Sequence, residues 1–559
     1  MVDEGGRNPA GKWDAPLTEP LARREWWRGA VIYQVYLPSF CDGDGDGFGD
    51  LRGLLARLPH IASLGVDAIW ITPFYRSPMR DSGYDVADYR SVDPAFGTLA
   101  DFDAVVARAH ALGLRIITDQ VWSHTASDHA WFAESRTSRA NPRADWYVWA
   151  DPAQDGAPPN NWLSVFGGSA WRWDGQRRQY YLHHFLPTQP ALNLRNPAVL
   201  EAHFANAAFW FARGVDGFRL DAVDFMLHDQ RLASNPVRPP PHGEAPWNPF
   251  RMQRHVHDMA QPDTAALMGR IRDMVDRFPG RVTIGEISSE PGALDRIARL
   301  TGPGRLHMAY TLGVMKAGFA PPIFQRAVAD AARLNRTGWL CWAFSNHDVE
   351  RAVSRWNPSG RAADAFARLQ MAMLLTLPGS VCLYQGEELG LPSGRVAADA
   401  IRDPYGQAFR PAFFGRDGAR TPLPWEAGAP NAGFSTGNRT WLPVDPAHVE
   451  FAVDRQHADR HSTLAAYRAM IRYRRTRPSL AIGETELLDV PEPFLGWRRR
   501  LDGEVTVALF NLSPEPASLP AAALPRFASA DLAFVSGPSG DAIELPPFGL
   551  SLGAEEQVR

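Results

Sequence analysis

The stretch GVDGFRLDAVDF (214–225) reads as a short buried strand, yet it carries Arg219 and Asp221 two positions apart. Side chains alternate across a strand, so both point to one face. Burying an unpaired charge is costly, and even a buried pair often fails to offset its desolvation. Other apolar runs end in the same way. LRIITDQV (114–121) ends in Asp119 and is followed by His124; RVTIGEI (281–287) carries Glu286; WLCWAFS (339–345) is followed by His347 and Asp348. Acids crowded near one guanidinium and two imidazoles cannot all keep ordinary proton affinities. Such sets gather where carboxylates do chemistry.

Something must bring these chain-distant residues together. From about residue 28 an apolar run, a polar loop and an amphipathic segment recur: AVIYQVYL (30–37), VDAIWIT (66–72), LRIITDQV (114–121), VDGFRLD (215–221), RVTIGEI (281–287), LHMAYTL (306–312), WLCWAFS (339–345) and SVCLYQG (380–386). Continuous rather than alternating apolar runs suit strands covered on both faces. Eight such units predict an α/β fold, a (β/α)8 TIM barrel whose reactive groups sit at the C-terminal ends of the strands. Residues 1–27 read as a tail, 28–124 as the first part of the barrel and 189–484 as the second. Residues 125–188, rich in Trp, Pro, Asn and Gly, are too long for a plain loop and read as a small inserted domain after strand 3. A proline-stiffened excursion covers 234–249, and another follows strand 8 at about 387–430. Short runs separated by Gly/Pro turns make 485–559 an all-β terminal domain, a β-sandwich.

Composition narrows the function. The 559 residues carry Lys+Arg 58 against Asp+Glu 62, which excludes a broad basic surface for nucleic acid or an anionic membrane. Nineteen tryptophans suit sugar-ring faces as well as cores. Three widely spaced cysteines form neither a disulfide framework nor a metal motif. With no apolar N-terminal core and no apolar run of spanning length, a cytoplasmic protein is expected.

The motifs DQVWSH (119–124), GFRLDAVDF (217–225), GEIS (285–288) and FSNHD (344–348) resemble, in order, those of the α-amylase superfamily of retaining α-glycosidases, glycoside hydrolase family 13. QPALN (189–193) resembles an additional motif of its α-glucosidase/oligo-1,6-glucosidase branch, with Ala191 where that branch carries an acid. The resemblance implies Asp221 as nucleophile, Glu286 as general acid/base and Asp348 as transition-state stabiliser. Arg219 would keep Asp221 ionised, while Glu286, with no basic neighbour in its own segment, would hold its proton. His124 and His347 would donate to glucose hydroxyls. In DSGYDVADY (81–89) it implies a stacking Tyr84 and a gripping Asp85; in GRDGARTPLPW (415–425) it implies Arg416 and Arg420. An Asp85–Arg416 pair would close the pocket around one terminal glucose, with Phe166 beside it. Ala222 after the nucleophile, smaller than the valine associated with α-1,6 links, favours α-1,4 substrates such as maltose.

CDGDGDGFGDL (41–51) alternates Asp42, Asp44, Asp46 and Asp50 with glycines, a pattern suited to a hard cation though not an EF-hand. It resembles the branch's loop after strand 1, which implies a structural Ca2+ or Mg2+ held also by the Phe48 carbonyl. The expected activity is an exo-acting retaining α-glucosidase on small α-glucosides, with glucosyl transfer open to it. Oligo-1,6-glucosidase, sucrose hydrolase or isomerase, trehalose synthase and a catalytically dead amylase-like binding module are the alternatives. Monomer and homodimer both remain open.

Overall fold

Each of the eight apolar runs forms a strand, and all are parallel. The computed structural model describes residues 25–239, 246–289, 291–537 and 541–556. The strands are β1 (Val31–Val35), β2 (Ala68–Ile71), β3 (Arg115–Gln120), β4 (Gly217–Leu220), β5 (Val282–Ile287), β6 (Met308–Thr311), β7 (Cys341–Trp342) and β8 (Ser380–Tyr384). Their order in the sheet is β6-β5-β4-β3-β2-β1-β8-β7, and a parallel bridge from Ala309 to Leu340 closes β6 on β7. Ile32, Trp70, Ile117, Ile284, Met308 and Cys382 fill the interior. A packed barrel centre leaves the strand ends as the place for chemistry.

Eight helices cover the outside: α1 (Leu51–Leu64), α2 (Leu99–Ala111), α3 (Pro197–Ala212), α4 (Thr264–Val275), α5 (Ala293–Leu300), α6 (Pro321–Leu334), α7 (Ala363–Thr376) and α8 (Thr463–Arg475). Helix α2 starts two residues before Asp101. The Thr98 side chain accepts from the Asp101 N–H while Asp101 accepts from the Thr98 N–H, a reciprocal cap that satisfies two otherwise orphaned donors.

The insert after β3 has its own helix, Ala130–Ser135, and a three-stranded antiparallel sheet of Trp149–Ala150, Trp171–Asp174 and Gln179–Leu182 around buried Trp162 and Trp171. The excursion after β8 is longer than expected, because α8 begins only at Thr463. The C-terminal region pairs a five-stranded antiparallel sheet with a two-stranded one, Ala517–Pro520 against Ala542–Leu545, and Val507, Leu509, Leu519 and Ile543 pack together between them.

The expected tail needs one correction. Trp27 is buried, edge-on to His307 and Trp339 at the base of the barrel, so packing starts before residue 28; positions 1–24 lie outside the described residues. Within the proline-stiffened excursion, 240–245 also lie outside them, while Val237 bridges Gln253 on the returning chain. All three cysteines are free and buried. Among the described residues, no helix is long and apolar enough to cross a membrane.

Candidate active site

Arg219, fully buried on β4, is the hub of the mouth. Its Nη1 donates to Asp119 Oδ1 at 2.7 Å and to Asp221 Oδ1 at 2.6 Å, and its Nε and Nη2 donate to the Tyr310 hydroxyl on β6. Nη2 also lies 2.7 Å from Glu286 Oε2 on β5. The guanidinium rests over the Trp70 ring, 4.9 Å from its centroid, which supports a cation without a counter-ion on that side. Asp119 accepts on its other oxygen from Tyr84 Oη and Trp70 Nε1, so it is saturated and serves to orient Arg219.

Glu286 therefore has a basic neighbour after all, supplied from another strand. Burial pushes both Asp221 and Glu286 up to about 7, against the pull of Arg219. Geometry separates the two. Asp221 receives a directed hydrogen bond from Arg219, whereas Glu286 sits near Nη2 but takes its hydrogen bond from the Ala222 amide at 3.0 Å. The proton shared by this pair accordingly favours Glu286. Ala222 reaches that position in a left-handed conformation, φ 46° and ψ 48°, a strained backbone for a residue with a Cβ. The strain turns its N–H towards β5.

Opposite, Asp348 follows β7 and accepts from Arg416 Nη1 at 2.7 Å and Arg420 Nη2 at 2.9 Å. Burial opposes its charge, but the two arginines outweigh burial and hold its carboxyl well below the usual range. The adjacent His347 is neutral, since burial pulls it down to about 3, so the arginines are the effective counter-charge. Gln34 Nε2 meets His347 Nδ1 at 2.8 Å; its Nε2, 3.4 Å from an Asp348 oxygen, makes no hydrogen bond among the described residues. The His347 ring stacks on Tyr84 at 5.2 Å. His124 lines the cavity, though its nitrogens already meet Ser123 Oγ and the Tyr84 carbonyl.

One cavity joins these groups. Asp81, Tyr84, His124, Phe166, Arg416 and Asp348 line it on one side of Asp221 and Glu286. Arg416 ties that end shut: besides Asp348 it reaches Asp403 Oδ1 at 2.8 Å and Asp81 Oδ1 at 3.2 Å, and its guanidinium lies 5.7 Å from the Phe166 ring centroid.

The α-amylase catalytic-domain family matches residues 34–483. The chain belongs to the α-amylase family of glycoside hydrolases. A probable α-glucosidase of Rhizobium meliloti is 49% identical over 90% of this chain and 92% of its own length. An oligo-1,6-glucosidase of Heyndrickxia coagulans is 35% identical over 88% and 93%. Among solved structures, an α-glucosyl transfer enzyme, XgtA, superposes with TM-score 0.91 at 48% identity, covering 95% of this chain and 99% of that one.

Within this family fold, one sequence expectation about the pocket changes. The Asp85–Arg416 pair does not form: Asp85 is fully buried and accepts from Ser77 Oγ, the Arg80 N–H and the Asp81 N–H, so it organises its loop away from the cavity. Asp81, four residues earlier, takes the place beside Arg416 and accepts from Gln189 Nε2 at 3.0 Å. Gln189 belongs to QPALN, so that motif reaches the site despite Ala191. Arg420 is buried, donating to the His347 carbonyl as well as Asp348. Sequence reasoning also missed Asp403, Tyr310 and Tyr405. Only Asp81 carried a local signal, lying in the quoted acidic stretch.

The acidic loop lies apart from this mouth. One oxygen each of Asp42, Asp44 and Asp50 falls within 4.8 Å of the others, a spacing that suits a single hard cation. Asp46 is turned aside to accept from the Phe48 N–H, and the Phe48 ring packs on Phe96 and Trp441. Asp50 also caps α1 by accepting from the Gly53 N–H. Gly47, at φ +96°, lets the loop press against Arg439, where a Cβ would lie 2.1 Å from a carbonyl oxygen.

Proposed function

We propose that this chain is an exo-acting, retaining α-glucosidase that removes terminal glucose from short α-glucosides, with α-1,4 links preferred to α-1,6. The observation that carries the reading is the single guanidinium of Arg219 reaching both Asp221 and Glu286, with the hydrogen bond aimed at Asp221. Asp221, ionised, attacks the anomeric carbon while Glu286 gives its proton to the departing oxygen. The C–O bond to the leaving group breaks and a glucosyl ester forms. Water, giving its proton to Glu286, then attacks the same carbon and releases Asp221. A guanidinium bridging the two acids suits the short carboxyl separation of retaining enzymes, about 5–5.5 Å, better than the wider inverting arrangement.

Asp348, held ionised by two arginines, and His347, whose Nε2 makes no hydrogen bond among the described residues, are suited to grip hydroxyls of the bound glucose. The Arg416 bridge to Asp81 and Asp403 supports single-glucose release, because a chain cannot run past a closed end. Ala222, lining the cavity with a methyl side chain, supports the α-1,4 preference. Glucosyl transfer to acceptors other than water is favoured by the 48% identity to an α-glucosyl transfer enzyme. The loop acids Asp42, Asp44 and Asp50 would hold a structural Ca2+ or Mg2+, with Asp46 and the Phe48 carbonyl joining only after a local shift. Free, buried cysteines suit a reducing compartment, and a cytoplasmic location is part of the proposal.

Product analysis on maltose, isomaltose, sucrose, trehalose and maltotriose tests this reading, with the anomer followed by NMR. α-Glucose should appear first, and maltose should be hydrolysed faster than isomaltose. Initial β-glucose would overturn retention, and faster cleavage of isomaltose would overturn the linkage preference.

A further inference from the structure

Glu286 has to keep a proton while Nη2 of Arg219 lies 2.7 Å from its Oε2. An N–H aimed at a carboxyl group stabilises the charged form and strips the proton. Something else must therefore occupy the hydrogens of Arg219. An arginine side chain offers five N–H groups in one plane and no acceptor. In Arg219, Nη1 serves Asp119 and Asp221, while Nε and Nη2 converge on the Tyr310 hydroxyl oxygen at 3.1 and 2.8 Å. Two bonds from one edge of a planar group to a single oxygen fix how that plane is turned. With the edge anchored, no N–H of Arg219 is directed at Glu286, which accepts from the Ala222 amide instead.

Strand register puts the tyrosine there. Tyr310 on β6 lies directly beside Glu286 on β5 in the parallel pairing, so both side chains leave the sheet on the same face. Arg219 on β4 pairs with Ile284, two residues earlier on β5. The long tyrosine side chain reaches across β5 to the guanidinium, its ring buried 5.8 Å from that of Trp70. The other charged groups around Glu286 are Asp221 at the end of β4, Asp224 in the turn that follows and Asp348 after β7, and Lys316 lines the same cavity. Asp224 is engaged by the Ser288 amide and hydroxyl and by Arg296 of α5, and Asp348 by Arg416 and Arg420. The cation paired with Glu286 is Arg219.

We propose that Tyr310 is a positioning residue that keeps Glu286 a proton donor: by taking the Nε and Nη2 hydrogens of Arg219, it reserves the remaining hydrogen bonds of that guanidinium for Asp119 and Asp221. This rests on the retaining mechanism above, in which Glu286 gives its proton to the departing oxygen. Without the hydroxyl, two buried N–H groups lose their acceptor, which is costly. Glu286 Oε2, 2.7 Å from Nη2, is at hand to replace it. A small turn of the guanidinium would make that bond, and Glu286 would then release its proton at lower pH.

The test follows kcat/KM against pH for the purified full chain on two donors: maltose, whose leaving oxygen needs the proton, and α-glucosyl fluoride, whose fluoride departs with far less help. In Tyr310→Phe and Tyr310→Met the basic limb on maltose should move about one pH unit to lower pH, the effect of one charge-assisted hydrogen bond on a carboxyl group. At pH 8 the loss against wild type should be about tenfold on maltose and clearly smaller on the fluoride. A limb position is read within each variant, so it does not depend on how much of that variant folds. Tyr75→Phe is the control: it removes another buried hydroxyl, one that donates to the Asp119 carbonyl and accepts from Gln120, and it should leave the limb in place. A basic limb that stays or moves to higher pH in both Tyr310 variants would overturn the positioning role and leave the glucosidase reading standing. So would a loss uniform across pH and equal on the two donors, or a limb shift as large in Tyr75→Phe. A wild-type chain inactive on both donors would overturn the glucosidase reading, and this inference with it.

Discussion

Two groups of aspartates in this chain are neutralised in opposite ways. At the mouth, Asp119, Asp221 and Asp348 meet guanidinium groups that the protein itself supplies from β4 and from the excursion after β8. In the loop after β1, Asp42 and Asp50 accept chiefly from backbone amides, those of Asp44, Gly45 and Gly47 for the first and Gly43 and Gly53 for the second. Fixed cations hold each mouth carboxylate in a set protonation state and orientation, which a reaction needs. Amides shape the loop without cancelling its charge, which leaves room for a cation from solution.

Substitutions that remove charge at the mouth should have the largest effects. Asp221→Asn and Glu286→Gln should each lower kcat on maltose by about 10³-fold or more while folding is retained; a steady-state assay that finds less than tenfold would remove these residues from the chemistry. Arg416→Ala leaves buried Asp81 and Asp403 without this cation and Asp348 with Arg420 alone, so kcat/KM should fall by about 10²-fold. The corrected pairing can be checked in the same assay: Asp81→Asn should cost far more in kcat/KM than Asp85→Asn, and the reverse order would restore Asp85 to the pocket.

The loop should respond to the solution instead. Exhaustive chelation should lower Tm by several degrees, given about 2.7 kcal/mol of linkage for a cation at 100 times its Kd, and calcium should restore it. Asp44→Ala, at an exposed ligand that caps no helix, should abolish that sensitivity. An unchanged Tm in chelator would mean that the amides alone suffice.

The smallest effect is a gain in stability. Burial raises both Asp221 and Glu286 to about 7, so the folded pair binds its shared proton more tightly than the unfolded chain does. The associated stability is present below the ordinary carboxylate range and is lost as pH rises through about 7. Asp221→Asn removes that loss, so its Tm should exceed the wild type by about 1–2 °C at pH 8. In a calorimetric scan the difference should shrink steadily as pH falls from 8 towards the ordinary carboxylate range.

Barrel strands were legible because strands buried on both faces must be apolar throughout, and their ends were legible because charges there stand out. Side-chain partners across strands were much less so. Glu286 looked free of basic neighbours because Arg219 lies 67 positions earlier in the chain, and only closure of the sheet brings β4 beside β5. Asp81 and Asp85 share one acidic stretch, and the choice between them depends on which carboxylate the loop's own amides consume. Asp403 and Tyr405 lay in an excursion without periodic pattern, where no local signal marks a residue that folds back over the mouth.

By itself the sequence determined the eight-strand rhythm, the reactive residue types and their places at strand ends, since periodicity and charge are local properties of the chain. Tertiary structure decided which carboxylate each arginine holds and which acid closes the pocket. Those outcomes depend on distances between residues remote in the chain, and such distances exist only once the barrel closes and the insert and the excursion pack over its mouth.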